Sequence, residues 1–507
     1  MSTTNHRAAD FIAALPASML APAGVGKTHL LTQVITLVSG GTEYIRSGQR
    51  VLVLTHTNAG VDVIRRRLQD LGLQQRAQVA TITSFAFELA RAYPGIGQVV
   101  VPALPDWNDS QRYIEASVRV ARSPHLQCVL RATFSHVLVD EYQDCTRSHH
   151  ELILALQAAV DACGVLGDPM QAIFGFADPL VEWHEVQEAF PSFTQQCQPW
   201  RWRGHNEDLG TWLLDLRSRL VPGATLDLAR ERLPRGVTLI PDVKPWTLKN
   251  TALSTGSADE SVLVLTGIAP AMVRTAAAKL GGLFSAMEEI QGSFMREALS
   301  DLAARDPAQF AHWLAVTAKK CFEGYGALDT GVLTALNGGR TVSHLKREAI
   351  TSSLYVLDEV QQERTLESLA RAMQALADLR DARLHSHEAW YDIRSALLES
   401  LAPGTRPAPD GPREESDLHD ALSRVREVRR HVGRKQRRRV VSRTVLVKGL
   451  EYDHVIITDI KQLSDICNLY VALTRARKSL TILGPSTLTL KETPSGPRAS
   501  TQRRRAS

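Results

Sequence analysis

Cysteine pairs and long apolar runs are both missing from this sequence, and each absence excludes a class of protein. The six cysteines are widely scattered and form no Cys-x-x-Cys pair, which argues against a zinc site and a disulfide framework. No run of about 18 apolar residues occurs, so we expect no membrane-spanning helix. The first twenty residues hold only a weak apolar stretch, broken by Pro16, so we expect no cleavable signal. A reducing cytoplasm is the expected compartment.

The length and composition are those of a globular chain with several domains. At 507 residues the chain is too long for one hydrophobic core, so two to four domains are expected. Hydrophobic residues make up 44% and charged residues 22%, as in ordinary globular proteins. The formal charge of +5 suits a nucleic-acid partner without establishing one.

Short apolar strands alternate with helical stretches over residues 1–195, a pattern typical of a parallel α/β sheet. Each strand ends at a polar or glycine-containing turn. The candidate strands are Ser18–Leu20, Val51–Thr55, Val79–Thr83, His136–Asp140 and Gly164–Gly167. A mainly helical stretch at about 86–135 is interpreted as a small insertion in this first domain.

A second strand-rich block, residues 196–285 and 435–490, predicts a second sheet domain interrupted by a mainly helical insertion at 286–434. Its candidate strands are Gly236–Pro241, Ser261–Ile268, Arg443–Val447, His454–Asp459 and Leu480–Gly484. A segment rich in proline and glycine, 401–416, is predicted to be a loop. The basic tail, 491–507, lacks large apolar residues and is predicted to be disordered.

The segment Ala21-Pro22-Ala23-Gly24-Val25-Gly26-Lys27-Thr28 has the pattern of a phosphate-binding loop between a strand and a helix. Such a turn lets backbone N–H groups converge on phosphate oxygens, and Gly24 and Gly26 permit the close approach. Lys27 would contact the β and γ phosphates, and the Thr28 hydroxyl would bind Mg²⁺. The strict pattern opens with glycine rather than Ala21, so a chance glycine turn is the alternative.

A second segment, HVLVDEYQDC at 136–145, delivers two carboxylates at the carboxyl end of a buried strand. Asp140 is placed to hold Mg²⁺ through water, and Glu141 to orient and deprotonate an attacking water. An acidic strand end is common in α/β proteins, but beside a phosphate loop it indicates nucleotide hydrolysis.

With these motifs in place, the sequence resembles superfamily 1 helicases of the UvrD/Rep/PcrA family. The other segments that carry the resemblance, in the family's order, are VLVLTHTNAGV (51–61), TITSFAF (81–87), VLGDPMQAIFGF (165–176), PWRWR (199–203), VKGLEYDHV (447–455) and YVALTRARKSL (470–480). The resemblance implies an α/β fold of two RecA-like parallel-sheet domains of the P-loop NTPase type with mainly helical insertions. It implies ATP and Mg²⁺ as cofactors.

The resemblance also assigns roles around the nucleotide. Gln171 would sense the γ-phosphate or the attacking water, and Arg475 would act as an arginine finger, worth roughly 10³–10⁵ in rate. A second arginine would be Arg201, with Trp200 stacking on adenine, or Arg203 in the other register; we favour Arg201. Glu451 would contact the ribose or bridge to groups on the DNA side.

The same resemblance predicts single-stranded DNA across the top of both sheet domains. The predicted contacts are His56, Thr57, Asn58, Ser84, Phe85 and Phe176. Phe176 would stack on a base, whereas Phe85 is as well explained by the core as by a base platform. Translocation from 3′ to 5′ is implied by the relatives and by no residue pattern of this chain.

Some features of the sequence depart from the family pattern, and they bear on the nucleotide preference and on the subgroup that the chain resembles. The glutamine that usually precedes the phosphate loop is missing, which leaves the preference for ATP open, and the insertions are small. In its compact build the chain resembles the UvrD-like subunit of Gabija-type phage-defence systems of bacteria, which work beside an ATPase-nuclease partner of the OLD type.

Two functions therefore stay open, a DNA helicase in defence or repair and a sensor of DNA ends or single strands that activates a nuclease. A basic run between Arg424 and Arg443, with ten Arg or Lys in twenty residues, is either a solvated face or a DNA contact.

Overall fold

Largely apolar and buried segments of two to eight residues form the strands of two parallel sheets, each flanked by helices, which confirms the predicted α/β fold class. A computed structural model describes residues 3–41, 44–102, 109–174, 179–194, 198–287, 292–402, 415–432 and 437–493. Within these ranges no helix is long and apolar enough to cross a membrane.

The first sheet has five strands, and its site-forming ends lie side by side. The strands are β1 (Ala17–Leu20), β2 (Arg50–Thr55), β3 (Ala77–Thr81), β4 (Phe134–Val139) and β5 (Cys163–Gly167). The surrounding helices are α1 (Thr3–Ala13), α2 (Lys27–Gly40), α3 (Asn58–Asp70), α4 (Ile82–Ala92), α5 (Pro94–Gly97), α6 (Ser110–Arg122), α7 (Pro124–Thr133), α8 (Arg147–Ala159) and α9 (Trp183–Ala189). The order β1-β5-β4-β2-β3 is parallel throughout, so the carboxyl ends of β1, β5 and β4 meet at one edge.

The prediction that a strand spans Val79–Thr83 is wrong at its carboxyl end. The strand ends at Thr81, whose Oγ1 accepts a hydrogen bond from the Ser84 backbone N–H at 3.1 Å. A threonine in this position caps a helix and starts it at once. Ile82 and Thr83 are therefore the first residues of α4.

The small insertion, α5 to α7, packs on its own domain. Helix α6 lies against α4 and α8, and its apolar side chains share one core with the first sheet. Ile114 and Val118 are buried beside Leu52 and Val137 of the strands. The insertion therefore belongs to the first domain and shares its core.

The second sheet has six parallel strands built from two stretches of chain. The first stretch contains α10 (Glu207–Arg219), β6 (Thr225–Asp227), β7 (Val237–Ile240), α11 (Pro245–Ser254), β8 (Val262–Leu265), α12 (Pro270–Lys279) and β9 (Ser285–Ala286). A helical body follows, with α13 (Ser293–Ala303), α14 (Phe310–Cys321), β10 (Phe322–Glu323), α15 (Thr330–Asn337), α16 (Thr351–Glu363), α17 (Leu366–Asp378), β11 (Arg383–Leu384), α18 (His387–Leu401) and α19 (Glu415–Val432). The chain then returns through β12 (Arg439–Ser442), α20 (Thr444–Val447), β13 (Tyr452–Ile457), α21 (Ile466–Leu473), β14 (Ala476–Leu483) and β15 (Thr487–Thr489).

The order of the second sheet is β7-β14-β13-β8-β12-β9, and a small antiparallel pair, β6 and β15, lies apart from it. The predicted strand Arg443–Val447 is wrong. The strand pairing with β8 is Arg439–Ser442, and Thr444–Val447 forms the short helix α20. Four apolar or β-branched residues suit a strand and a buried helical turn equally well, so the pattern could not separate them.

The helical body α13–α19 has a hydrophobic core of its own, built around Trp313 and Trp390. Most of the predicted loop 401–416 and the tail from residue 494 lie outside the described residues. The chain enters the helical body after β9 and leaves it before β12, and these two strands are neighbours in the second sheet.

Candidate nucleotide-binding and catalytic site

The predicted phosphate loop connects β1 to α2 and turns through two left-handed glycines. Gly24 has φ +75° and Gly26 has φ +91°, conformations that L side chains rarely adopt. Ala21 N donates to Gly167 O at 2.9 Å, which ties the loop to the end of β5. The Lys27 ammonium lies back over the loop, donating to Ala21 O at 2.9 Å. The backbone N–H groups at the start of α2 and the Lys27 ammonium thus offer hydrogen-bond donors and positive charge for phosphate oxygens.

The two carboxylates follow β4 directly, beside this loop. Asp140 is buried and accepts from the Glu141 backbone N–H at 2.9 Å. Glu141 has φ +56°, an uncommon conformation for a residue other than glycine and one that proteins retain mainly at functional sites. Burial and the neighbouring Glu141 raise the pKa of Asp140. Although burial opposes it, the charges of Lys27 and Lys448 lower the pKa of Glu141, which keeps this carboxylate ionised.

The residues present fit Mg²⁺ bound together with nucleotide phosphates. Asp140 is a buried carboxylate whose ionised form needs a cation, and the Thr28 hydroxyl lines the same cleft. Over the described part of the chain, no three His, Cys, Asp or Glu side chains form a self-sufficient metal site. Mg²⁺ commonly uses one or two protein oxygens, with water and substrate phosphates completing its shell.

Glutamines connect the carboxylates to the rest of the cleft. Gln143 Nε2 donates to Glu141 Oε2 at 2.5 Å, and its Oε1 accepts from the Asp168 backbone N–H at 2.8 Å. Gln171 Oε1 accepts from Arg475 Nη2 at 3.1 Å. Gln171 belongs to the first domain and Arg475 to the second, so this bond crosses the cleft. Burial and the neighbouring Arg201 lower the pKa of Arg475 to about 9, which leaves the guanidinium charged at neutral pH.

The segment PWRWR places Arg201, rather than Arg203, inside the cleft. Arg201 Nε lies 3.0 Å from Glu451 Oε1, and its Nη1 donates to Thr474 O. Arg203 stacks instead on the ring of Trp200, with its guanidinium 4.8 Å from the ring centre. The Trp200 indole borders Gly26 at the mouth of the cleft, where a nucleobase could stack.

The cleft holds about 270 Å³ and collects nearly all of the predicted nucleotide residues. Those along its wall are Pro22, Ala23, Gly24, Gly26, Lys27, Thr28, Asp140, Glu141, Gln171, Trp200, Arg201, Glu451 and Arg475. Ala21 and Val25 are buried beneath the loop and support it through their packing.

Lys448 is a cleft residue that the sequence reasoning missed as a functional group. It is 3% exposed, and its ammonium donates to Asp144 Oδ2 and to Gln171 O. Asp144 is the last acidic residue of the DEYQD motif, so both partners stand inside motifs already recognised. The opposite charges of Lys448 and Asp144 were the sequence signal that could have pointed to this pair. A second missed residue is Tyr470, whose hydroxyl accepts from the Ala23 backbone N–H at 3.1 Å.

The predicted DNA residues divide into four groups. Thr57 caps α3 by accepting from Gly60 N at 3.0 Å and lines the nucleotide cleft, with Asn58 next to it. Phe85 is buried, with its ring edge against Phe134, so the structure places it in the core. Phe176 lies outside the described residues.

His56 and Ser84 are half-buried and already have partners. His56 Nε2 lies 3.2 Å from Cys145 Sγ, and its ring meets His149 edge-on, while the Ser84 hydroxyl accepts from Thr81 Oγ1 at 2.8 Å. To contact DNA, each of these side chains would have to give up its partner in the first domain.

Three arginines of the basic run contact the protein itself. Arg426 is buried with Nη1 3.1 Å from Asp392 Oδ2, and Arg424 Nε lies 3.0 Å from Glu399 Oε1. Arg439 Nη1 donates to Ala252 O at 3.1 Å. These contacts favour the structural interpretation of the run for these positions.

A parallel sheet that ends in a phosphate loop, two carboxylates and a cross-domain arginine defines a P-loop NTPase with two RecA-like domains. Residues 2–98 and 100–183 match the family model described as UvrD/REP helicase N-terminal domain. The match supports a UvrD-like superfamily 1 helicase, a class that hydrolyses ATP and binds DNA. No curated protein matches the chain.

Proposed function

We propose that this chain is an ATP-dependent translocase or helicase that moves 3′ to 5′ on single-stranded DNA, in phage defence or DNA repair. The observation that carries the proposal is the hydrogen bond between Gln171 and Arg475, which joins the two domains at the nucleotide cleft. Hydrolysis at such a place changes the contact between the domains, and a motor needs that change to step along a strand.

In the proposed reaction the loop N–H groups and Lys27 hold the β and γ phosphates of ATP. Asp140 and Thr28 would hold Mg²⁺, which neutralises phosphate charge when bound. Glu141 orients a water for attack on the γ phosphorus and takes its proton. Arg475 and Arg201 stabilise the charge that spreads over the transferred phosphoryl group. ADP and phosphate are the products.

DNA would reach this chemistry through elements that adjoin the cleft. Thr57, at the start of α3, lines the cleft and stands at the predicted strand path, with Asn58 following it. The buried ion pair of Lys448 and Asp144 also links the two domains, next to Gln171, whose carbonyl oxygen accepts from Lys448. A strand bound across both domains would therefore act on the hydrolytic residues through short, direct contacts.

The catalytic assignment is tested with Lys27→Ala and Glu141→Gln in a DNA-stimulated ATPase assay. Glu141→Gln removes the base and is expected to lower kcat by about 10²-fold or more while ATP still binds. Lys27→Ala is expected to weaken both binding and turnover. Glu151→Gln, the same change at an exposed position of α8, is the matched control and should keep wild-type rates. Full activity in both site variants would refute the assignment.

A second function is favoured by the small insertion of the first domain. Because α5–α7 share that domain's core, they do not form a separate body that could grip duplex DNA. This suits a sensor of DNA ends or single strands that activates a partner nuclease, of the OLD-type ATPase-nuclease class if the chain is Gabija-like.

A strand-displacement assay separates the two functions, with 3′- and 5′-tailed substrates and with or without such a nuclease. Unwinding of the 3′-tailed substrate by the chain alone supports the helicase and its polarity. ATP hydrolysis without unwinding, together with DNA-dependent activation of the nuclease, supports the sensor.

A further inference from the structure

Asp168 is a fully buried carboxylate that the proposed chemistry does not use. Its side chain is 0% exposed, and it directly follows β5 in the first domain. Oδ2 accepts from Gln171 Nε2 at 3.0 Å, and Oδ1 accepts from Arg217 Nη2 at 2.6 Å. Within the described residues, Arg217 is the one cation that forms an ion pair with Asp168.

Arg217 comes from the second domain, so this ion pair also crosses between the domains. It lies near the end of α10, whose buried residues Leu213 and Leu216 belong to the core of the second sheet. Its guanidinium carbon is 5.8 Å from the ring centre of Tyr470, the residue whose hydroxyl accepts from Ala23 N of the phosphate loop. Arg217 therefore lies between two contacts of the second domain with the first, which are its own ion pair with Asp168 and the hydrogen bond between Tyr470 and Ala23.

We propose that Arg217 is a positioning residue that holds the Asp168 carboxylate through Oδ1 with Oδ2 facing Gln171, and so fixes the orientation of the Gln171 amide toward Arg475. This inference rests on the proposed function and adds a residue to its site.

The argument follows from donor and acceptor chemistry. An ionised carboxylate can only accept hydrogen bonds, so the Gln171 NH₂ group must face Asp168 and the amide oxygen must face Arg475. Arg475 carries only donors and needs that oxygen. Without Arg217, Asp168 Oδ1 would lose its charged donor, and the carboxylate would no longer be held facing Gln171. The Gln171 NH₂ group would then lack a fixed acceptor, and the amide oxygen would no longer be held toward Arg475.

The first test measures kcat and KM for ATP in Arg217→Met and Arg217→Lys. Loss of one oriented donor at a phosphoryl-transfer site commonly costs about 10²-fold in kcat, and an indirect effect through Gln171 is expected to cost about 10-fold with KM nearly unchanged. Arg217→Lys keeps the charge and should restore part of kcat. Arg219→Met, on the same helix but paired with Glu231 at the surface, is the matched control. A kcat within about twofold of wild type for Arg217→Met, or an equal loss in the lysine variant, overturns the inference.

The second test does not depend on activity and so separates this inference from the proposed function. Hydrogen–deuterium exchange of the full chain is expected to show faster exchange in Arg217→Met at two segments, 21–26 and 168–171. The Gln171 backbone N–H bonds to Asp168 O at 2.8 Å, and both segments lie at the contacts described above. Unchanged exchange there overturns the inference even if the ATPase is active. A wild-type chain without ATPase activity but with the expected exchange pattern overturns only the proposed function.

Discussion

Gly24 is a residue of the phosphate loop that the second domain approaches closely. A Cβ atom at this position would lie 2.5 Å from the ring of Trp202, a fully buried side chain whose Nε1 donates to Ala476 O at 2.7 Å. The Arg201 backbone N–H also donates to Gly24 O at 3.0 Å. Glycine is therefore required here both by its φ of +75° and by the close approach of the indole.

Alanine at Gly24 is expected to cost more stability than alanine at Gly48. Gly48 has φ +88° but no neighbour within 4 Å of an added Cβ, so it isolates the backbone strain, about 1–2 kcal/mol. Gly24→Ala adds overpacking against Trp202, typically about 1–3 kcal/mol more. Thermal unfolding of both variants measures the difference. Equal losses of Tm would show that Trp202 moves aside freely.

The elements of the sheets could largely be predicted, because each central strand is a continuous buried apolar run. The predicted Val51–Thr55 and His454–Asp459 match β2 and β13 to within about two residues, the usual uncertainty of an element boundary. The two-residue strand Ser285–Ala286 could not be found, since nothing in so short a segment has a period. The wrong strand prediction at Arg443–Val447 has the same cause, because the helix found there, Thr444–Val447, is too short to show a period.

A polar cluster joins the amino ends of β8, β13 and β14. Glu260 Oε1 accepts from Lys478 Nζ at 2.8 Å, and its Oε2 accepts from Ser257 N at 2.8 Å and lies 3.2 Å from His454 Nε2. The hydrogen bond from Lys478, followed by those from Ser257 and His454, lowers the pKa of Glu260 to about 2.

Because the folded-state pKa of Glu260 is below its ordinary value of 4.5, its stabilising effect is present above that pH and is lost as the pH falls toward 2. Glu260→Gln is therefore expected to lower Tm near pH 6 and to change it little near pH 2 (about the folded pKa). Tm measured across that range tests the sign. Glu297→Gln, at an exposed position of α13, is the control, and an offset from wild type independent of pH would contradict the expectation.

At the scale of the whole molecule, the helical body has a core separate from those of the two sheet domains, whereas the nucleotide cleft lies between the sheet domains. A ligand that binds only the folded state stabilises it by about 2.7 kcal/mol at 100 times its Kd. Binding at the cleft should therefore stabilise the sheet domains and leave the helical body unaffected.

Calorimetry with a non-hydrolysable ATP analogue and Mg²⁺ is expected to raise the transition of the sheet domains and leave that of the helical body in place. EDTA should remove most of the shift, because Asp140 then lacks its cation, and Lys27→Ala should remove it as well. A uniform shift of all transitions would show that the helical body unfolds together with the sheets.

That the proposed nucleotide residues would gather in one place could be predicted, whereas the contacts that hold them could not. Lys27, Asp140, Glu141, Gln171 and Arg475 stand in recognisable motifs, and the structure brings them to one cleft. The bonds from Lys448 to Asp144 and from Arg475 to Gln171 each join positions 304 residues apart. Such contacts depend on how two domains dock, and local periodicity carries no information about docking.

The close fit of Trp202 on Gly24 has a consequence for domain exchange. The loop and the segment 199–203 are in close contact, and the positive φ of Gly24 keeps glycine there whatever stands at 202. A chimaera that joins residues 1–194 of this chain to the second domain of a relative would therefore bring an unmatched side chain against the loop wherever the relative differs at position 202.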